Sequence, residues 1–272
     1  MLARSLLLLL FASAVSHAEE PLDGRITPAV LAAFERQAFD DEGFELPYRL
    51  LAPADASDTD RRPLVLFLHG FGERGEENQR QLIHGGTLFA SEAFRQRYGA
   101  YVVAPQCTSR NHEGTDRPIV WPTLTESKEK WRSAGLDAEI SGPLRAVKRL
   151  VDHLLATQPI DPDRVYVTGL SMGGYGSWEL AARYPDAWAA AAPICGGGLP
   201  EWGERLTRLP VWAFHGDADG AVPVERSRNL IAAINAAGGR AIYTEYPGVG
   251  HDSWTPTFAS QQVWDWLFTQ RR

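Results

Sequence analysis

The segment Arg164–Tyr184, RVYVTGLSMGGYGSWELAARY, constrains the fold more than any other. Arg164 to Thr168 is a short β-branched, apolar run suited to a buried strand. Gly169-Leu170-Ser171-Met172-Gly173 follows at once, and Tyr175 to Tyr184 sets Trp178, Ala181 and Ala182 at helical spacing on one side. A strand, a G-x-S-x-G turn and a helix in direct succession place a serine at the tip of a sharp turn. Gly169 and Gly173 remove the Cβ atoms that would hold strand and helix apart, and Ser171 can adopt a sparsely allowed backbone conformation. The N–H of Met172, at the helix N-terminus, can face a developing oxyanion with the helix dipole behind it. A serine that merely caps a helix after a glycine turn has the same local pattern. The remainder of the chain must therefore supply a base and an acid.

The rest of the chain repeats the alternation that this segment starts. Phe34–Phe39 and Phe44–Leu51 alternate apolar and polar residues around Asp40-Asp41-Glu42-Gly43, a β-hairpin at a sheet edge. Nearly continuous apolar runs at 63–68, 100–104, 164–168, 187–194, 211–214 and 241–246 suit strands buried on both faces of a parallel sheet. Helical patterns lie at about 137–156, 172–184, 223–237 and 256–270. Strands alternating with helices through right-handed crossovers make an α/β, doubly wound, mostly parallel sheet, with the N-terminal hairpin antiparallel. Ligands of such sheets bind at the carboxyl ends of the strands. No linker, repeat or low-complexity run divides the 272 residues, so residues 19–272 are expected to form a single domain. The segment from Cys107 to Gly135 breaks the periodicity. With Trp121, Pro122 and Trp131 it reads as a folded loop over the rim of the site.

The first residues have a different character. Arg4, the apolar run Leu6–Phe11 and Ser16-His17-Ala18 form a secretory signal peptide, residues 1–18, cut after Ala18. The run is too short for a stable membrane span, and a periplasmic or secreted product is expected. Net charge is −7 with acids scattered and no basic patch, which argues against nucleic acid or an anionic membrane as partner. Two cysteines, Cys107 and Cys195, each follow an apolar strand. They are either buried thiols or, if the two strand ends lie close, a bridge. Nothing in the sequence specifies an oligomeric state.

Two stretches after Ser171 can complete a nucleophilic site. The strand at 241–246 runs into Pro247-Gly248-Val249-Gly250-His251, where glycines let the loop turn and carry His251 to the serine as general base. The strand at 211–214 runs into His215-Gly216-Asp217-Ala218-Asp219. Asp219 is the expected orienting acid, and spacing alone leaves Asp217 as a rival. His69-Gly70-Phe71-Gly72 follows the strand at 63–68, and its backbone, at Phe71, can donate a second oxyanion N–H. The other histidines lack metal-ligand spacing and no G-x-G-x-x-G follows a strand, so neither a metal nor a nucleotide cofactor is indicated.

The stretches LFLHGFGERGEEN, YVVAPQC, RVYVTGLSMGGYGSWELAARYPD, PICGGG, VWAFHGDADGAVPVERS and YPGVGHDSW resemble the bacterial predicted-peptidase/carboxylesterase group. That group belongs to the α/β-hydrolase superfamily and is related to polyhydroxybutyrate-depolymerase-type and feruloyl-type esterases. The resemblance runs from about Phe34 to the C-terminus. It implies an α/β-hydrolase fold, a triad of Ser171, Asp219 and His251, and oxyanion donors at Phe71 and Met172. It favours Asp219 over Asp217, because the acid falls four residues after the histidine matching His215.

Only about 15 residues, Gly196–Pro210, separate two strands where a large cap would be inserted. An open cleft without a cap is expected, suited to short acyl esters or to esters on bulky aromatic or sugar groups. Trp121 and Trp254 are the aromatics expected nearest the substrate. The expected activity is that of an exported serine carboxylesterase working on a small-molecule ester through an acyl-enzyme. A serine peptidase with the same triad is the alternative, and a non-catalytic binding protein a third.

Overall fold

The computed structural model describes residues 25–57, 59–125 and 132–272. The leader read at residues 1–18 and Trp131 lie outside them. The chain opens with helix α1 (Pro28–Ala33), capped by the Thr27 hydroxyl accepting the Val30 N–H. Strands β1 (Glu35–Asp41) and β2 (Phe44–Leu51) then pair antiparallel as a hairpin. Its turn is tighter than the sequence suggested. Strand pairing runs to Asp41, leaving Glu42 and Gly43, both at positive φ (55° and 91°), as the two-residue turn that matches strand twist.

Strand β3 (Arg62–Leu68) leads into a segment the periodicity did not mark, with helices α2 (Gly86–Ala90) and α3 (Glu92–Tyr98) before β4 (Tyr101–Pro105). These helices are too short for a periodic signal. Their punctuation was nevertheless written in the chain: Ser91 caps α3 by accepting the Phe94 N–H, and Gly99 ends it in the left-handed region. Beyond the 107–135 segment come α4 (Gly142–Thr157), β5 (Ile160–Leu170), α5 (Met172–Arg183), β6 (Ala190–Ile194), β7 (Trp212–Gly216), α6 (Glu225–Ala236) and β8 (Ile242–Tyr246). The expected helix at 256–270 is two helices, α7 (Trp254–Ala259) and α8 (Gln261–Thr269), because Ser260 is extended (φ −83°, ψ 104°).

The eight strands of the described residues form one sheet in the order β1-β2-β4-β3-β5-β6-β7-β8. β2 meets both neighbours antiparallel, and every pairing from β4 to β8 is parallel. Alternate side chains of β3 explain how the sheet is covered. Leu64, Leu66 and Leu68 enter one core, with Leu144, Val147 and Leu150 of α4, Trp178 of α5 and Leu230 of α6. Val65 and Phe67 enter the other, with Leu31 of α1, Phe89 of α2, Phe94 of α3 and Trp264 and Leu267 of α8. Both faces of the central strands are dry, which is why their sequences read as unbroken apolar runs. This is the architecture of an α/β hydrolase. No large cap stands among the described residues: β6 and β7 are joined by a connection whose only regular element is a 3₁₀ turn at Pro200–Leu206. Nor is any described helix long and apolar enough to cross a membrane.

Candidate active site

The geometry is built outward from the end of β5. Ser171 sits between β5 and α5 at φ 54° and ψ −116°, a strained conformation for a residue with a side chain. The glycines around it are dictated by contact. A Cβ on Gly169 would lie 2.6 Å from the carbonyl oxygens of Gly173 and Leu68, and one on Gly173 would lie 2.0 Å from that of Leu68. Only glycine lets β3, β5 and α5 approach this closely.

His251, on the loop after β8, places Nε2 2.9 Å from Ser171 Oγ and Nδ1 2.8 Å from Asp219 Oδ2. Its side chain is 29 % exposed, whereas the Asp219 side chain is fully buried. Asp219 Oδ1 accepts the N–H groups of Ala221 (2.8 Å) and Val222 (2.9 Å). Burial alone would push this carboxyl up. Hydrogen bonds from His215, His251 and the two amides prevail and hold it well below the usual carboxylate range. Of the two aspartates that spacing left open, Asp219 is the one that meets His251. Asp217 is exposed and accepts the Gly248 N–H (2.7 Å) instead. Asp252, adjacent to His251, is occupied by the Thr255 N–H and hydroxyl.

Phe71 begins a 3₁₀ turn, Phe71–Glu73, just beyond β3, and Met172 is the first residue of α5. The two N–H groups expected to face an oxyanion therefore belong to the turn after β3 and to the first turn of α5. The histidine before that turn is locked. His69 Nδ1 donates to Gly70 O (2.6 Å), and Nε2 accepts the Cys107 N–H (2.9 Å). Burial lowers its pKa to about 4, so the ring is neutral and both nitrogens are used.

The expected role of Trp121 beside the substrate is corrected by the structure. Trp121 is fully buried beneath the turn, donates Nε1–H to His69 O (3.1 Å) and packs edge-on to the His69 ring. Its apolar ring packs under the segment that leads into the Phe71–Glu73 turn and lines no part of the cleft. Trp254 is half-buried and also stands outside the cleft lining. It meets the His251 ring edge-to-face at 5.5 Å and the His84 ring at 5.0 Å on the other side.

A cleft of about 830 Å³ opens over Ser171 and His251. One wall is the segment Arg117–Thr125, with Trp121 turned away from it, so the long loop does border the site. It is held by Glu179 of α5, a buried carboxylate that accepts the Thr123 N–H (2.7 Å), the Thr123 hydroxyl (2.6 Å) and Arg183 Nε (2.8 Å). Glu179 was missed in the sequence, although an acid set among Trp178, Leu180, Ala181 and Ala182 on a buried helix is itself a signal. Cys107 and Cys195 are both free, buried thiols, each pushed up by burial.

With this geometry in view, residues 54–263 match the family described as phospholipase/carboxylesterase. The chain belongs to this family of carboxylic ester hydrolases. A solved thermostable esterase superposes with a TM-score of 0.79 at 38 % identity, over 89 % of this chain and 64 % of the other. Poly(3-hydroxyalkanoate) depolymerase C of Paucimonas lemoignei is 33 % identical over half of this chain but only 28 % of its own length. A probable carboxylesterase, SOBER1-like, of Arabidopsis thaliana is 28 % identical over 71 % of this chain and 74 % of its own. The chain thus spans under two thirds of the depolymerase and of the thermostable esterase, and about three quarters of the plant relative.

Proposed function

We propose that this protein is an exported serine carboxylesterase that forms an acyl-enzyme on Ser171. The observation that carries the reading is the continuous hydrogen-bonded line Ser171 Oγ–His251–Asp219 at the floor of an open cleft. His251 Nε2 accepts the Ser171 proton as Oγ attacks the ester carbonyl, and Asp219 stabilises the imidazolium that results. The N–H groups of Phe71 and Met172 stabilise the tetrahedral oxyanion. The proton returns from His251 to the leaving alcohol, and a water activated by the same ring then releases the acid. The fixed orientation of Asp219, held by two backbone amides, keeps the Nδ1–H tautomer of His251 and leaves Nε2 free to act.

The uncapped cleft favours short acyl chains or esters displayed on bulky aromatic or sugar groups. Export rests on the signal-peptide pattern at residues 1–18. The test is burst kinetics with p-nitrophenyl acetate and butyrate, beside long-chain esters and peptide anilides, on the parent and on Ser171→Ala. A burst that disappears in the variant supports the acyl-enzyme. Turnover of peptide anilides without ester turnover would replace this reading by a peptidase. Higher turnover on long-chain esters would overturn the substrate class. N-terminal sequencing of protein from the periplasm or medium should begin at Glu19.

A further inference from the structure

One buried titratable group beside the site is not used by the mechanism above. His215, inside β7, is fully buried, and its ring nitrogens have a complete set of partners. Nε2 lies 3.1 Å from Asp219 Oδ2 and 3.2 Å from Val222 O. Both partners are acceptors, so Nε2 must carry a hydrogen. Nδ1 lies 2.8 Å from Ser227 Oγ on α6, which is also 3.2 Å from Gly196 O. The hydroxyl can donate to either, so the Nε2–H form is satisfied without a second ring proton. Asp219 Oδ2 therefore accepts from two imidazoles at once, His215 and His251.

We propose that His215 is a positioning residue for the reaction, a second imidazole that fixes the rotation of the Asp219 carboxylate and shares the oxygen that orients His251. The geometry is a closed ring. The Val222 N–H holds Asp219 Oδ1, the Val222 carbonyl accepts from His215, and His215 donates to Asp219 Oδ2. Neither carboxylate oxygen can turn without breaking a buried hydrogen bond. Sharing Oδ2 also limits how strongly it draws on the His251 Nδ1–H. Without His215, Oδ2 would accept from His251 alone, and the protonated form of the base would be favoured. The other titratable groups around this pair are the Cys195 thiol, pushed up by burial, Asp252, held by Thr255, and Glu245, opposite His215 on β8 and paired with Arg228. His84 and Glu73 lie beyond Trp254 on the far side of the base.

This inference rests on the reading of Ser171, His251 and Asp219 as the triad, and its test separates the two. kcat and KM are measured against pH with p-nitrophenyl butyrate, per titrated active site for the parent, His215→Leu and His215→Gln and per mole of folded protein for Ser171→Ala. Burst titration counts only competent sites, so a misfolded fraction does not enter kcat. Gln can still donate an amide N–H to Asp219, whereas Leu cannot. His215→Leu should lose about ten- to a hundred-fold in kcat, with KM within about two-fold, as expected for loss of an outer partner of a functional group. Its acid limb should move to higher pH, and His215→Gln should recover most of both effects. Loss of activity in Ser171→Ala together with parental kcat and acid limb in His215→Leu would overturn this proposal alone. So would equal impairment of the Leu and Gln variants with an unmoved acid limb, which marks a packing role. Full activity in Ser171→Ala would overturn both.

Discussion

Two histidines flank Ser171 and do opposite things. His69 ends in two backbone partners, a carbonyl taking its Nδ1–H and an amide giving to Nε2. Protonation of that ring would set an N–H against the Cys107 N–H inside a dry core, and burial lowers its pKa to about 4. His251 ends in two side-chain partners, a carboxylate and a hydroxyl, and stays partly open to the cleft. Its Nδ1–H points at an acceptor that gains from an imidazolium, and its Nε2 faces a proton that can leave. Imidazole chemistry here is decided by whether the partners tolerate a change of protonation. Backbone partners make His69 a strut of the turn at Phe71, and side-chain partners suit His251 to the shuttle that the proposed mechanism requires.

The largest effects should come from breaking the shuttle. Ser171→Ala and His251→Ala should each lower kcat by about 10⁴-fold or more, and Asp219→Asn, which holds the wrong tautomer, by a comparable factor. Because, among the described residues, the hydrogen bonds of the His251 ring run to Asp219 and Ser171, His251→Ala should leave the thermal midpoint within a few degrees of the parent. A large fall in its midpoint would break the comparison by showing that the shuttle is also a strut.

The strut should show the reverse pattern. His69→Ala leaves a buried carbonyl and a buried amide unpartnered, a loss of about 2–4 kcal/mol of stability. The titration of His69 has its own signature. The unfolded chain takes up the proton near 6.5 and the folded protein only near 4, so stability is full above pH 6.5 and falls as pH drops toward 4. A shift of this size corresponds to about 3 kcal/mol lost across that window. Urea midpoints between pH 7 and 4 should fall less steeply in His69→Gln than in the parent, and parallel slopes would show that His69 is not the group responsible.

A smaller effect should come from the loop wall. Glu179→Gln keeps an acceptor for Thr123 but weakens the charged hydrogen bond to Arg183, which should cost about 1–2 kcal/mol. Proteolysis within residues 107–135 should be faster in the variant, with KM raised more than kcat is lowered. Unchanged proteolysis and KM would separate the loop from this carboxylate.

The contrast between strut and shuttle also explains what could be read in the chain. The dry strands were legible because both their faces are apolar, and the serine turn because Gly169 and Gly173 meet backbone that leaves no room for a Cβ. The loop carrying Asp219 was legible because it follows such a strand; β8, before the His251 loop, proves to be a half-exposed edge strand, and that loop was legible from the glycines at 248 and 250. What escaped depends on contacts between segments far apart in sequence. Trp121 looked like a cleft aromatic until its indole was seen beneath His69, 52 residues away along the chain. Whether a tryptophan on a loop faces in or out is set by that partner and not by its neighbours. His215 and Glu179 are single polar residues in apolar elements, a pattern that marks a buried network without saying what it serves. Helices α2 and α3 were missed because five and seven residues make too few turns for a period, leaving only the caps as evidence.

Trp254 offers the finest test of the same idea, because it touches the shuttle without a hydrogen bond to it. Its ring stands perpendicular to His251 at 5.5 Å and tilted against His84, whose Nε2 lies 3.3 Å from Glu73 Oε1. An edge-to-face pair of this kind contributes about 0.5–1.5 kcal/mol, and phenylalanine keeps part of that contact with a smaller ring. Trp254→Phe should therefore lower kcat by only about two- to five-fold, the kinetic equivalent of about 0.4–1 kcal/mol, with KM unchanged. Trp254→Ala removes the wall behind the base and should lower kcat further, again without a change in KM. A rise in KM for either variant would instead put the indole in contact with substrate. The base would then owe its orientation to Asp219 alone.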